Sequence, residues 1–278
     1  MLKSNVIWPG HRRYKSCTEW EPIGFFSDCL CNATYFDLML GFFSSSAISV
    51  LANGFAVFLY NGGKMRLIVN DILTDDDKNA IAAGSGDIEI LFFDIFDIQK
   101  IKDTLSERDR HFFDCLAWLI RHNRFEVKII APKSGIGISH TKSGIFSDGI
   151  NKVGFDGSCN FSRTALVDNI ESLTVSCDWD GNIEVAKVEA IRKDFENVFQ
   201  EKDCNVVYLS VDKVQTRITD SFPDKSISEL LEAEYKILRN HRQHNISKHI
   251  IKALDNSKER LEVILDKLKE IELSLIHI

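Results

Sequence analysis

The sequence predicts an α/β domain with a mixed, mostly parallel sheet flanked by helices, followed by a C-terminal helical extension. Two observations predict it. Apolar runs of strand length alternate with longer amphipathic stretches from Tyr35 to Ser210, the pattern of strand–helix units. Beyond Ser221-Phe222-Pro223-Asp224 strand signals nearly cease and leucines recur at helical spacing. The division expected is a domain over 1–220 and an extension over 221–278.

Residues 35–43 read as a buried strand, and Ser44-Ser45-Ser46 offers N-cap oxygens to a helix running toward Tyr60. Asn61-Gly62-Gly63 ends that helix, and Met65–Val69 is a second strand. Thr74 before Asp75, Asp76 and Asp77 marks a helix start, with acids at the positive end of the dipole. Ile88–Phe93 is a third apolar run, and 98–122 is helical, with Leu105, Phe112, Leu116, Leu119 and Ile120 as its apolar stripe. Strands are expected at 126–131, 136–142 and 150–155, with Ser143–Gly149 as the turn between the last two. A polar turn after Asn160, a strand at 172–177, an amphipathic helix over 182–200 and a strand at 206–210 complete the domain. In the extension Leu254, Leu261, Leu268 and Leu275 recur every seventh residue, with Ile264, Ile271 and Ile278 beside them and Ser257 interrupting. That is a short coiled-coil seam, suited to its own domain, a dimer or a partner.

Composition bounds the function. At 278 residues, 44% hydrophobic and 27% charged, the chain is neither disordered, nor fibrous, nor a small disulfide scaffold. A net charge of −7 excludes a broadly basic nucleic-acid coat, so a nucleic-acid site must be a local patch. The seven cysteines (17, 29, 31, 115, 159, 177, 204) form no Cys-x-x-Cys pair, and their odd count reads as reduced thiols in the cytoplasm. The start lacks an apolar stretch of signal-peptide length, and Tyr35–Tyr60 is interrupted by Asp37, three serines and Asn53, so no membrane segment is expected.

The chemistry gathers in 138–171. His140 and Lys142 stand two apart on a strand and share a face, as do Ser158 and Asn160 directly after Gly157. A hairpin between the two limbs would bring together an imidazole, an ammonium, a hydroxyl and a carboxamide. That set suits a phosphodiester: a nucleophile, a positive charge and neutral donors. Gly157 would let backbone approach the ligand. Lys133, Lys142, Lys152 and Arg163 flank the site and would give it a positive mouth.

On these residues the sequence resembles the phospholipase D superfamily, whose signature is His-x-Lys followed by Gly-Ser-x-Asn. His140-Thr141-Lys142 and Gly157-Ser158-Cys159-Asn160 carry the likeness, and Asn169-Ile170-Glu171 resembles the Asn-x-Glu of bacterial nuclease members. It covers about residues 30–210. The family's Asp falls where this chain has Ser147, and Asp148 comes one residue later. The resemblance implies a metal-independent phosphodiesterase, with no cofactor and no metal, that cleaves nucleic acid, DNA first, through a phosphohistidine. His140 would be nucleophile or acid, Glu171 would fix its tautomer, and Lys142 and Asn160 would hold the phosphoryl oxygens beside Ser158. One motif where the mechanism needs two implies a homodimer with the site on its two-fold axis. The likeness to single-motif restriction and phage-defence effectors implies a separate helicase or other defence subunit as partner. The alternative, of another class, is a non-catalytic nucleic-acid-binding or assembly module. A lipid phosphodiesterase stands behind both.

Competing signals are weaker. Glu126-Val127-Lys128 with Asp94 or Asp97 mimics a metal-dependent nuclease core, while Gly62-Gly63-Lys64 lacks the spacing of a P-loop. His241, His244 and His249 read as solvent-facing. The basic groups His11-Arg12-Arg13 with Lys15, Arg108 with Arg110, and Arg121-His122 with Arg124 read mostly as solvated faces.

Overall fold

Strand alternation places the two faces of the sheet, and the pairing order then positions everything else. The structure, a computed structural model, describes residues 1–40, 52–70, 106–133, 142–157, 172–240 and 248–276. In chain order these form α1 (Leu2–Asn5), β1 (Arg13–Lys15), α2 (Pro22–Asn32), β2 (Tyr35–Leu40), α3 (Phe55–Tyr60), β3 (Lys64–Asn70), α4 (Glu107–Arg121) and β4 (Phe125–Pro132). There follow β5 (Lys142–Ser147), β6 (Lys152–Gly157), β7 (Ser172–Cys177), α5 (Asn182–Phe199), β8 (Val206–Leu209), α6 (Asp212–Ser221), α7 (Ile227–Asn240) and α8 (Lys248–Ile276).

The eight strands make one open sheet in the order β1-β7-β6-β5-β2-β3-β4-β8. The expectation of a mostly parallel sheet is corrected here. Only β2–β3 and β3–β4 are parallel, and the other five neighbouring pairs are antiparallel. Parallel neighbours need long crossovers, and the tight tip joining β5 to β6 rules one out there. The hairpin is also shifted from its expected place: Ser143–Ser147 is strand, not turn. Gly144 explains the misreading, because a Cβ there would stand 2.5 Å from the Asp37 carbonyl oxygen and 2.6 Å from the Phe155 ring. A glycine that looks like turn chemistry is a close-packing requirement.

Period-two alternation divides the sheet cleanly. Phe36, Leu38 and Leu40 of β2, Met65, Leu67 and Val69 of β3, and Phe125, Val127 and Ile129 of β4 enter the large core beneath α2, α3 and α4. Met39, Ile68 and Ile130 point the other way, onto Phe195 and Val198 of α5. Phenylalanines fill the centre of the large core, with Phe36 stacked on Phe146 at 4.0 Å and Phe25 and Phe26 edge-on to Phe155 at 5.4 and 5.2 Å.

α7 and α8 add to that same core. Leu230, Leu231, Leu238, Leu254 and Leu261 are fully or almost fully buried in it. Ser257, the break in the leucine seam, meets Ser27 of α2 through its hydroxyl, and Arg260 pairs with Asp28 at 2.5 Å. No described helix is long and apolar enough to cross a membrane.

Candidate functional site

Six strand ends meet at one end of the sheet. β2, β3 and β4 finish there at Leu40, Asn70 and Pro132, β6 finishes at Gly157, and β5 and β7 begin at Lys142 and Ser172. In open α/β sheets the carboxyl ends of parallel strands are the usual ligand position. Lys142 opposes Leu40 across β2–β5 and is only 5% exposed. Lys133 follows β4 at the same end and is exposed, its N–H donating to the Asn205 carbonyl at 2.9 Å.

Of the expected site residues, Lys142, Gly157 and Lys133 thus share this end. Lys152 does not. It opens β6 at the far end, five residues from Gly157 and so about 17 Å away, and its ammonium faces Glu189 at 3.4 Å. Gly157 packs against β7, where a side chain would drive into the Ser172 carbonyl and Leu173. Its small size therefore serves the sheet. His140, Ser158, Asn160, Arg163 and Glu171 lie outside the described residues, as do Cys159, Asn169, Asp94, Asp97, His241 and His244. The expected helix start at Thr74–Asp77 and the run Ile88–Phe93 lie outside them too.

Asp148 has a structural task at the opposite end. It accepts the N–H groups of Ile150 and Asn151 at 3.0 and 2.7 Å across the β5–β6 tip, and the Leu2 N–H of α1 at 2.8 Å. Burial works to raise its pKa but is outweighed by these N–H donors, which hold it below the usual carboxylate range.

The other chemistry-bearing side chains are engaged in holding elements together. Arg66 grips Asp37 with two bonds of 2.7 and 2.6 Å, adds Glu196 of α5 at 2.8 Å, and lies over Phe195 and Phe199. Lys128, part of the Glu126–Lys128 pair, bonds to Glu201. Sequence reasoning missed one of the most buried polar groups among the described residues. Glu234 of α7 accepts the Gly54 and Ala56 N–H groups, both at 2.7 Å, and faces His111 Nε2 of α4 at 3.2 Å. Its partners lie 180, 178 and 123 residues away, and a lone Glu on an amphipathic helix carries no signal of that.

The described cysteines are free, and burial drives four of the thiols upward: Cys31 and Cys177 to about 12, Cys29 and Cys115 well above the ordinary range. Protonated buried thiols are poor nucleophiles and poor ligands. Among the described residues no three His, Cys, Asp or Glu side chains group to hold a metal ion.

No protein-family model and no curated protein matches this chain. Among solved structures it is similar to a polyphosphate kinase from Porphyromonas gingivalis, at 9% identity and a TM-score of 0.37 over 91% of this chain. The chain spans 28% of the length of that kinase chain. A likeness that slight carries no argument about fold or activity.

The chain folds as a general mixed α/β domain with flanking helices. The phospholipase D resemblance is corrected accordingly: no family model supports it, and the sheet is open and mostly antiparallel. The metal-independent phosphodiesterase falls with it. The sequence holds no second copy of the His140–Lys142 and Gly157–Asn160 pattern that a phosphohistidine mechanism needs, and the frame implied by the resemblance is absent. Hydrolase, nuclease and antiviral-defence roles are set aside on the same ground.

Proposed function

We propose that this chain is a non-catalytic assembly module that works by self-association, an α/β scaffold presenting a surface instead of transforming a substrate. The observation that carries this reading is that six cations are committed to carboxylates within the fold. Arg12 pairs with Asp180, Arg66 with Asp37 and Glu196, Lys128 with Glu201, Lys152 with Glu189, Lys225 with Asp114 and Arg260 with Asp28. Cations neutralised within the fold contribute little to gripping a phosphate backbone, which needs several free ones. This favours assembly over nucleic-acid binding. A cytoplasmic setting goes with the reading, supported by the free thiols at all six described cysteines.

The test is the mass in solution from about 1 to 100 μM, together with titration of labelled single- and double-stranded DNA at low and physiological salt. Self-association raises the mass from the 31.7 kDa monomer toward twice that value, with weak or no DNA binding. A chain that stays monomeric throughout, or one that binds DNA tightly with a steep salt dependence, overturns the reading.

A further inference from the structure

The two edges of the sheet differ in character. β1 is three residues long and turns Arg13 and Lys15 to solvent, a common protection against edge-to-edge pairing. β8 is nearly as short, at four residues, but lacks the charges. Its four residues, Val206-Val207-Tyr208-Leu209, include no charge, proline or glycine, and Val207 is 42% exposed.

The ladder to β4 shows which backbone groups β8 leaves open. Lys133 N–H donates to the Asn205 carbonyl at 2.9 Å, so that pair is a hydrogen-bonded one. The register Ala131↔Val207 and Ile129↔Leu209 continues the alternation. Val207 and Leu209 therefore turn their N–H and C=O groups inward to β4, and Val206 and Tyr208 turn theirs outward. Among the described residues no strand lies beyond β8, and no backbone group meets Val206 or Tyr208 from outside.

We infer that β8 is the self-association edge, pairing antiparallel with β8 of a second copy about a two-fold axis through Val207; the inference rests on the assembly reading above. An antiparallel edge is complementary to itself, which makes the second copy the natural occupant. Register follows from counting bonds. Centring on Val207 lets Val206 of each copy exchange two N–H···O=C bonds with Tyr208 of the other, about four in all. Centring on Val206 or Tyr208 gives about two within the strand and leaves Val207 exposed. The Val207 centre also sets the two valines in a non-hydrogen-bonded pair, Cα atoms about 4.5 Å apart, where side chains touch most closely.

That spacing gives the test. Val207→Cys is made in a chain whose exposed Cys17 and Cys204 are replaced by serine. Under mild oxidation it yields a disulfide-linked dimer, because the Cα separation falls in the disulfide range. Ile183→Cys in the same background is the control, since Ile183 is 73% exposed and remote from β8; it stays uncrosslinked. Val207→Lys sets like charges across the axis, weakens self-association at least about tenfold, and leaves the urea midpoint near that of the parent. If the parent self-associates while Val207→Cys stays uncrosslinked and Val207→Lys retains the parent's mass, the β8 inference is wrong and the assembly reading stands. A parent monomeric at every concentration removes the assembly reading itself.

Discussion

Glu234 is the residue on which docking of the C-terminal helices should depend most. Its carboxylate is 1% exposed and reaches two elements at once: the first N–H groups of α3 at Gly54 and Ala56, and the His111 imidazole on α4. Glu234→Ala leaves both amides and His111 Nε2 without that acceptor in a dry interior, where each unpaired donor costs about 1–3 kcal/mol. Truncation of a buried charged hub costs about 3–5 kcal/mol as a whole, and that is the loss expected. For a chain of this length the entropy of unfolding is about 0.6 kcal/mol/K, so the melting temperature falls by about 5–8 °C. Glu234→Gln retains one acceptor oxygen and loses about half as much. Urea unfolding read by far-UV circular dichroism measures both variants, and a double-mutant cycle with His111→Ala reports a coupling of about 0.5–3 kcal/mol. An Ala variant within about 1 kcal/mol of the parent would refute the reasoning, since it would mean that α7 is held by its leucines alone.

Two further outcomes follow from local geometry. Gly144→Ala puts a methyl group against the Asp37 carbonyl and the Phe155 ring at 2.5–2.6 Å, and neither strand backbone nor a core ring yields; a loss of about 3 kcal/mol in urea unfolding is expected, and a loss under about 1 kcal/mol would contradict the packing. Asp148 has a depressed folded-state pKa, so its contribution is present above the unfolded value of about 3.9 and is lost as pH falls through the folded value. The stability difference between parent and Asp148→Asn therefore shrinks between about pH 5 and pH 2, and a difference constant over that window would show that the carboxylate's charge is not what caps the tip.

Faces were legible in the sequence, and partners were not. β3, β4, β7 and β8 stand close to their expected positions because apolar alternation marks a strand and its buried side. The same alternation says nothing of the direction of a neighbour, which is how a sheet with five antiparallel pairs was read as mostly parallel. Ser143 and Gly144 have turn composition yet lie in β5, for a steric reason visible only with Phe155 in place. α2 carries one local mark in the sequence, Pro22 at its first position, a recognised helix-start signal. The end of α4 was anticipated at 122, and its true start is marked by Ser106, whose hydroxyl accepts the Asp109 N–H. Of the candidate site, Lys142 and Gly157 lie at one sheet end, and the residues meant to join them there lie outside the described residues. Lys152 is near that end in sequence only, and five residues of strand carry it to the other end.

Pairing through β8 bears on the composite site that one motif per chain implied. Antiparallel pairing of the two edges reverses the strand direction across the two-fold axis, so β2, β3 and β4 of one copy point opposite to those of the other. The carboxyl ends at Leu40, Asn70 and Pro132, with Lys142 beside them, then face opposite sides of the continuous sheet. Each copy also places β4 between its own β3 and the interface strand, which keeps Lys142, three strands in from β4, about 14 Å further from the axis than β4 itself. A shared catalytic centre on the two-fold axis cannot form in that arrangement, because the two ends neither meet nor face one another. What the arrangement does create is a continuous sheet of sixteen strands, twice the eight of one copy, whose outer edges are the charged β1 strands. Growth would stop there: β8 is used once by each copy, and Arg13 and Lys15 discourage a third copy from adding to β1. The difference between the two edges thus predicts a closed dimer instead of a filament.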